Sequence, residues 1–286
     1  MKIKDIVAPL EEFAPLSSQE PYDNAGLIVG SPYDEATAAL ICVDVTEEVL
    51  DEAIEKGANL IIAHHPVIFH PIKQLGGDDN VSRVISKAIK NDVAIYACHT
   101  NLDRAHNGMS HLLAQKLGLR NIAVLDPDEP QKETTTEPKT ETGIETTTRQ
   151  KMQTGFGAVG EFPEPVETLD FLRSVAKTLA IETIRHSRPP RETIRRVAIV
   201  TGSGGDGLEK AIEAGADVFL TGDVRHDRFV AAQNRILLAD IGHWESEFCA
   251  IELMHSVLSK KIANFAVHKS ASSKNPVRYL SPQLPR

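Results

Sequence analysis

At 286 residues the chain is long enough for one large α/β domain or two modest ones, and its 41% hydrophobic, 25% charged composition is that of a globular protein. A net charge of −9 argues against a nucleic-acid-wrapping protein, whose affinity rests on an excess of Lys and Arg, but leaves room for a small phosphorylated ligand. The three cysteines, Cys42, Cys98 and Cys249, form no CxxC pair, which predicts thiols in a reducing cytoplasm rather than a disulfide framework.

The N-terminus (MKIKDIVAPLEEFAPL) is broken by charges and prolines, and no segment approaches the roughly 18 apolar residues that span a bilayer. A soluble, cytoplasmic protein without a membrane partner is expected. Short aliphatic and β-branched runs then recur along the chain. Ala39–Val43, Asn59–Ala63, Val93–Cys98, Val197–Val200, Asp217–Leu220 and Ile236–Ala239 are expected as buried strands. Helical patterns lie between them, as in Glu47–Lys56, where Val49, Leu50, Ala53 and Ile54 make one stripe and Gly57 supplies the stop. Alternation of strand and helix predicts an α/β fold with a parallel or mixed sheet. Residues 126–153, dominated by Thr, Glu, Lys and Pro, cannot bury enough surface to offset their ordering entropy and are expected as a flexible linker. They separate a first α/β repeat (1–125) from a second (154–286).

The two halves resemble each other. DEAIEKGANLIIAHH (51–65) lies over EKAIEAGADVFLTGD (209–223) without a gap, and the segment ending at Asp103 lies over the one ending at Glu247. A helix–strand unit followed by a further strand has been used twice.

In each half, polar residues follow an apolar strand. His64-His65-Pro66 follows one; His99 with Asp103, Asp223, and His243 with Glu247 follow others. Ligands bind at the carboxyl ends of strands in α/β sheets, where loops converge, so distant segments can deliver imidazoles and carboxylates to one place. His99 and Asp103, like His243 and Glu247, are four residues apart and share a face on a helical turn. Imidazole with carboxylate and no thiolate suits zinc, manganese, iron, cobalt or nickel and suits calcium poorly. His226, in TGDVRH after a strand end, is a further candidate near the site. His106, His111, His186 and His255 have no acidic partner at ligand spacing. Gly202, Gly204 and Gly207 satisfy GxGxxG between a strand and a helix, the context of a phosphate-cradling loop. The duplicate position lacks glycine, which favours a tight turn that contacts a substrate phosphate, with a nicotinamide cofactor as a distant alternative. Arg185, Arg188, Arg191, Arg195 and Arg196 form a basic run that fits solvated loop charges better than an acidic partner.

PYDNAGLIVG (21–30), GANLIIAHHPVIF (57–69), HTNLD (99–103), GSGGDGL (202–208), GADVFLTGDVRH (215–226), GHWESE (242–247) and NPVRYL (275–280) resemble, in order, the motifs of the GTP cyclohydrolase 1 type 2 homologues, a NIF-like dinuclear-metal family. The resemblance implies two intertwined, duplicated α/β repeats with mixed sheets flanked by helices, in a toroidal homohexamer. It implies two divalent metal ions per chain, held by His64, His65, Asp103, His243 and Glu247, with His99 beside them. It also implies a metal-dependent hydrolase of a nucleotide-like or phosphorylated small molecule, with His99 or His226 moving protons. The alternative is a metal-containing hexameric assembly or regulatory binding protein with little catalysis.

Overall fold

The computed structural model describes residues 1–128 and 153–280, so residues 129–152 of the expected linker lie outside the described residues. In the first half a helix, α1 (Ile3–Phe13), precedes strands β1 (Gly26–Val29) and β2 (Ala39–Cys42). Helix α2 (Glu47–Glu55), β3 (Leu60–Ala63), α3 (Asn80–Lys90) and β4 (Ala94–Ala97) follow, then α4 (Thr100–Asp103), α5 (Met109–Lys116) and β5 (Arg120–Pro127). In the second half come β6 (Gly155–Glu167), α6 (Thr168–Leu179), β7 (Arg185–His186), β8 (Thr193–Ile199), α7 (Leu208–Glu213) and β9 (Val218–Thr221). Helix α8 (His226–Ala232), β10 (Leu237–Asp240), α9 (His243–Glu247), α10 (Cys249–Lys261) and β11 (Val267–Lys269) close the described chain. Strand β5 carries two residues, Asp126 and Pro127, beyond the boundary expected from composition, because they pair with Phe156 and Gly155 of β6.

The expected strands form because their runs are apolar on both faces. All four residues of β2, β3, β4, β9 and β10 are buried. Such sites are available only where helices cover both sides of a sheet, and each fully buried Leu or Ile contributes roughly 1.5–3 kcal/mol. Alternate residues of β2 point to opposite faces: Leu40 and Cys42 join α2 and α3 in one cluster, while Ala39 and Ile41 join α1 and α10 in another. Thr46 caps α2 by accepting from Val49 N at 3.3 Å, and Gly57 ends the unit with φ +65°. Gly215 does the same after α7 with φ +69°.

Two mixed sheets result. The first runs β1-β4-β3-β2-β11 and the second β5-β6-β8-β9-β10-β7. Each half therefore gives its last strand away. Strand β5 pairs with β6 in the second sheet, and β11 pairs with β2 in the first. The helix before each exported strand goes with it: Leu113 of α5 packs in the second core, and Met254 and Leu258 of α10 pack in the first. The repeats are intertwined by this exchange.

The structure also refines the internal alignment. Strands β3 and β9 superpose at the expected offset of 158, from Leu60 to Val218. Pairing then sets Leu60 against Ala94 and Val218 against Leu237, an offset of 143 between β4 and β10. By that register Gly242, not His243, is the counterpart of His99. His99 precedes α4, whereas His243 opens α9. The acidic residues still match as the last residue of each short helix.

Candidate metal centre

The sheets bring their carboxyl ends together. His64 and His65 follow β3, and their backbone N–H groups donate to Cys42 O (3.1 Å) and Val43 O (3.0 Å) of the β2 edge. The regular ladder ends at Ala63, and beyond it the two rings lie 4.8 Å apart between centroids rather than on opposite faces. Ring centroids of His65 and His243 are 5.3 Å apart, and those of His64 and His99 also 5.3 Å. Asp103 and Glu247 arrive from α4 and α9.

Every one of the four imidazoles is fixed through Nδ1. His64 Nδ1 lies 2.8 Å from Cys98 O, His65 Nδ1 2.8 Å from Asp44 Oδ1, His99 Nδ1 2.7 Å from Asp23 Oδ1 and His243 Nδ1 2.7 Å from Asp223 Oδ2. A carbonyl only accepts, so His64 carries its proton on Nδ1 and offers a lone pair at Nε2, the arrangement that orients a metal-binding histidine. The Nε2 atoms converge on Glu247. Its Oε2 stands 2.9 Å from both His65 Nε2 and His243 Nε2, and Oε1 3.5 Å from His64 Nε2.

Three groups of donor atoms, each mutually within 4.8 Å, come from these residues: His64, His65 and His99; His65, His243 and Glu247; and His64, Asp103 and Glu247. Glu247 belongs to two of them. His64 Nε2, Asp103 Oδ1 and Glu247 Oε2 are buried with no aligned hydrogen bond, although Oε2 has imidazole nitrogens close by. Buried polar atoms left in this way are costly, and cations among them would satisfy all three. The donor set, nitrogen and carboxylate oxygen without sulfur, therefore fits a borderline divalent ion.

The electrostatics point the same way. Burial pulls the His64 pKa down, keeping that ring neutral. Burial opposes the charged form of His65 too, but Asp44 and Glu247 outweigh it and hold its pKa up at about 10. For His243, Glu247 and Asp223 overcome burial and raise it to about 9. Burial and then the neighbouring Glu247 push Asp103 well above the usual carboxyl range, while the surrounding imidazoles overcome burial to hold Glu247 well below it. Two buried carboxyls separated in this way share too little positive charge.

A cavity of about 680 Å³ opens onto the cluster, with His65, His99, Asp103, His243 and Glu247 in its wall. His226 does not reach it. Asp223 takes φ +53°, Val224 turns inward to donate from its N–H to Asp240 Oδ2 at 3.1 Å, and the chain then starts α8 with an exposed His226. A position after a strand end suits a site residue, but the turn points His226 away from the cavity.

The glycine loop is explained by packing. Gly202 has φ +69°, and a β-carbon there would overlap Glu247 Oε1. Gly202 N–H donates to Ser246 Oγ (2.9 Å), Gly204 N–H to Thr221 Oγ1 (2.9 Å) and Gly222 N–H to Gly202 O (2.7 Å). The glycines let two strand ends and α9 approach closely. Of the arginines expected as loop charges, Arg185 lies in β7 and Arg195 and Arg196 in β8; Arg191 pairs with Asp217 at 2.6 Å and Arg185 with the buried Asp240.

Asp23 and Asp44 join the site without a spacing signal of their own, and Gly202, expected to face a substrate phosphate, instead makes room for Glu247. Asp44 directly follows the apolar run ALICV, the same signal that marked the histidines. Asp23 follows no strand, and only its place in PYDNAGLIVG, one of the segments that carry the family resemblance, marks it.

A model of the DUF34/NIF3 (NGG1p interacting factor 3) family matches residues 1–276. The chain belongs to this family. Among curated DUF34/NIF3 relatives, one from Clostridium perfringens is 31% identical over 285 residues, covering 98% of this chain and 100% of its own length. One from Lactococcus lactis subsp. lactis is 32% identical over 283 residues, covering 96% and 98%. Both carry the name GTP cyclohydrolase 1 type 2 homolog. The crystal structure of Staphylococcus aureus protein SA1388 has a TM-score of 0.84 at 29% identity, covering 98% of this chain and 99% of that one. A Bacillus cereus protein related to NIF3 has a TM-score of 0.86 at 26% identity with the same coverage. Among the described residues, no helix of this DUF34/NIF3 chain is long and apolar enough to cross a membrane.

Proposed function

We propose that this DUF34/NIF3 protein is a dinuclear-metal hydrolase acting on a nucleotide-like or phosphorylated small molecule. The observation that carries the reading is the shared Glu247 carboxylate, which belongs to two donor groups at the edge of an open cavity. In this reading His64, His65, Asp103, His243 and Glu247 hold two divalent ions drawn from zinc, iron, manganese, cobalt and nickel. Such a pair supplies Lewis acidity and lowers the pKa of water. Asp44 and Asp223 orient His65 and His243 through Nδ1. His99 lines the cavity with Nδ1 held by Asp23, so its Nε2 is the group placed to move a proton. His226 has no part in it. Curated relatives named for GTP cyclohydrolase support the nucleotide-like substrate.

Structural metal sites are closed by protein ligands, whereas this cluster faces a cavity, which supports catalysis over a purely structural centre. In the same reading the chain works in the cytoplasm as a homohexamer. Ile72 and Leu75, exposed on the loop after β3, offer apolar surface to a neighbouring copy, and sedimentation equilibrium tests that state.

The test is a screen of metal-loaded protein against nucleotides and phosphorylated metabolites with each candidate metal. Turnover that disappears in Glu247→Gln while the circular dichroism spectrum is kept supports the hydrolase. Absence of turnover across the whole screen ends it and leaves a metal-containing assembly.

A further inference from the structure

The cavity that opens onto the cluster has a lining ill matched to a polyphosphate. Its carboxylates are Asp44, Asp103, Asp126, Asp206 and Glu247. Among its described lining residues one ammonium, Lys210, stands against these five, and it already lies 3.1 Å from Asp126 Oδ1. The nearby guanidiniums are engaged as well: Arg228 by Asp206, and Arg104 by Glu20 and Asp128. With Asp126 paired to Lys210 and Asp206 to Arg228, two divalent cations would face Asp44, Asp103 and Glu247, which leaves one surplus positive charge, too little to match a triphosphate.

In the one loop whose sequence suggests phosphate gripping, three of the four glycine amides, those of the motif glycines, are spent internally. Gly202 and Gly204 N–H groups donate to Ser246 and Thr221, and Gly207 N–H donates to Gly204 O at 2.8 Å. Asp206 sits within that loop and adds negative charge at the cavity wall.

What the lining offers instead is aromatic surface. Tyr22, from the segment before β1, and Phe69, from the loop after β3, stand edge to face with centroids 6.4 Å apart, and both line the cavity. Phe69 continues to His99 at 5.9 Å, joining this aromatic wall to the cluster. Phe156 of β6 adds a third ring, backed by the Arg104 guanidinium 4.8 Å from its centroid. Tyr22 and Phe69 are 65% and 38% exposed and adjacent, so together they present an open aromatic patch at the cavity on which a flat ring can lie.

We infer that this cavity selects a flat, uncharged heterocycle held against Tyr22 and Phe69, and discriminates against a polyphosphate tail. The inference rests on the cavity being the substrate site of the proposed hydrolase, and it narrows the substrate to a nucleobase or nucleoside class.

Calorimetric titration of the full, metal-loaded chain with guanosine, GTP and inorganic triphosphate tests it, with excess magnesium present so that phosphates do not strip the site. Guanosine is expected to bind at least as tightly as GTP. Tyr22→Ala and Phe69→Ala are each expected to weaken guanosine about tenfold, the range of one base–aromatic stack, while Tyr22→Phe keeps wild-type affinity. Exposure of both rings makes loss of fold avoidable, and circular dichroism verifies it. GTP or triphosphate binding tighter than guanosine overturns the inference. So does guanosine binding that both truncations leave unmoved, or that is absent in the wild type. Because the readout is binding, the expected pattern without turnover of any compound would retire the hydrolase and leave the ring selectivity standing.

Discussion

Gly202 and Glu247 occupy one space: the glycine's α-carbon packs against Oε1 of the carboxylate that three imidazoles surround, and no β-carbon fits between them. At φ +69° the position is also one that an L side chain adopts with strain. Gly202→Ala should therefore displace Glu247 rather than simply loosen a turn. We expect metal content to fall below half of wild type and stability to drop by about 1–3 kcal/mol. Elemental analysis beside a thermal melt checks this, and full metal occupancy in the variant would refute it.

Asp44 and Asp223 meet the cluster through hydrogen bonds to Nδ1 of His65 and His243. Asp44→Asn and Asp223→Asn should each weaken metal binding by about 10–100-fold, the usual cost of losing the group that orients a ligand histidine. Both side chains are substantially exposed, at 40% and 58%, so melting of the metal-free protein should hardly change. Competition with a chelator of known affinity measures the first effect.

Removing metal should destabilise the chain, because Asp103 Oδ1 and His64 Nε2 are buried without hydrogen bonds and Glu247 Oε2 has only misaligned imidazoles beside it. An ion at about a hundred times its dissociation constant adds about 2.7 kcal/mol. For a chain of this size that corresponds to a melting shift of roughly 5–10 °C. Calorimetry of chelated and reloaded protein should show that gap; identical transitions would argue against any buried ion.

Glu52 offers a pH test far from the cluster. Burial works against its charge, yet Ser270 Oγ (2.7 Å), Ala271 N–H (3.0 Å) and Ser272 N–H (2.8 Å) donate to it and hold its pKa at about 2 against the usual 4.5. The folded value lies below the unfolded one, so its stabilisation is complete above the unfolded pKa. It drains away as pH falls from 4.5 towards 2. These donors follow β11, the strand exchanged into the first sheet, so Glu52 pins that exchange. Glu52→Gln should be destabilised at pH 7, and its deficit against wild type should shrink on acidification. A deficit independent of pH in urea titrations would contradict the linkage.

The sequence by itself determined the strands, the duplication and most of the donor residues. Those features are local: a run such as LIIA can be buried only in a covered sheet, and polar residues after such a run lie at its carboxyl end. The helix–strand offset of 158 survives intact in β3 and β9. The assignment of particular ligands came from family resemblance, and the structure gathers those five residues with His99 in one cluster.

Tertiary structure alone decided the rest. The register between β9 and β10 put Gly242 in the place of His99, which no spacing of histidines could reveal. The turn at Asp223 sent His226 to the surface, and Gly202 proved to make room for a carboxylate 45 positions further along the chain. The place of Asp23 beside His99, and which strands, β5 and β11, make the exchange that intertwines the repeats, depend on contacts between distant segments. Such contacts follow from how two sheets dock and how backbone angles aim each side chain, and neither is written in the composition or periodicity of any one stretch.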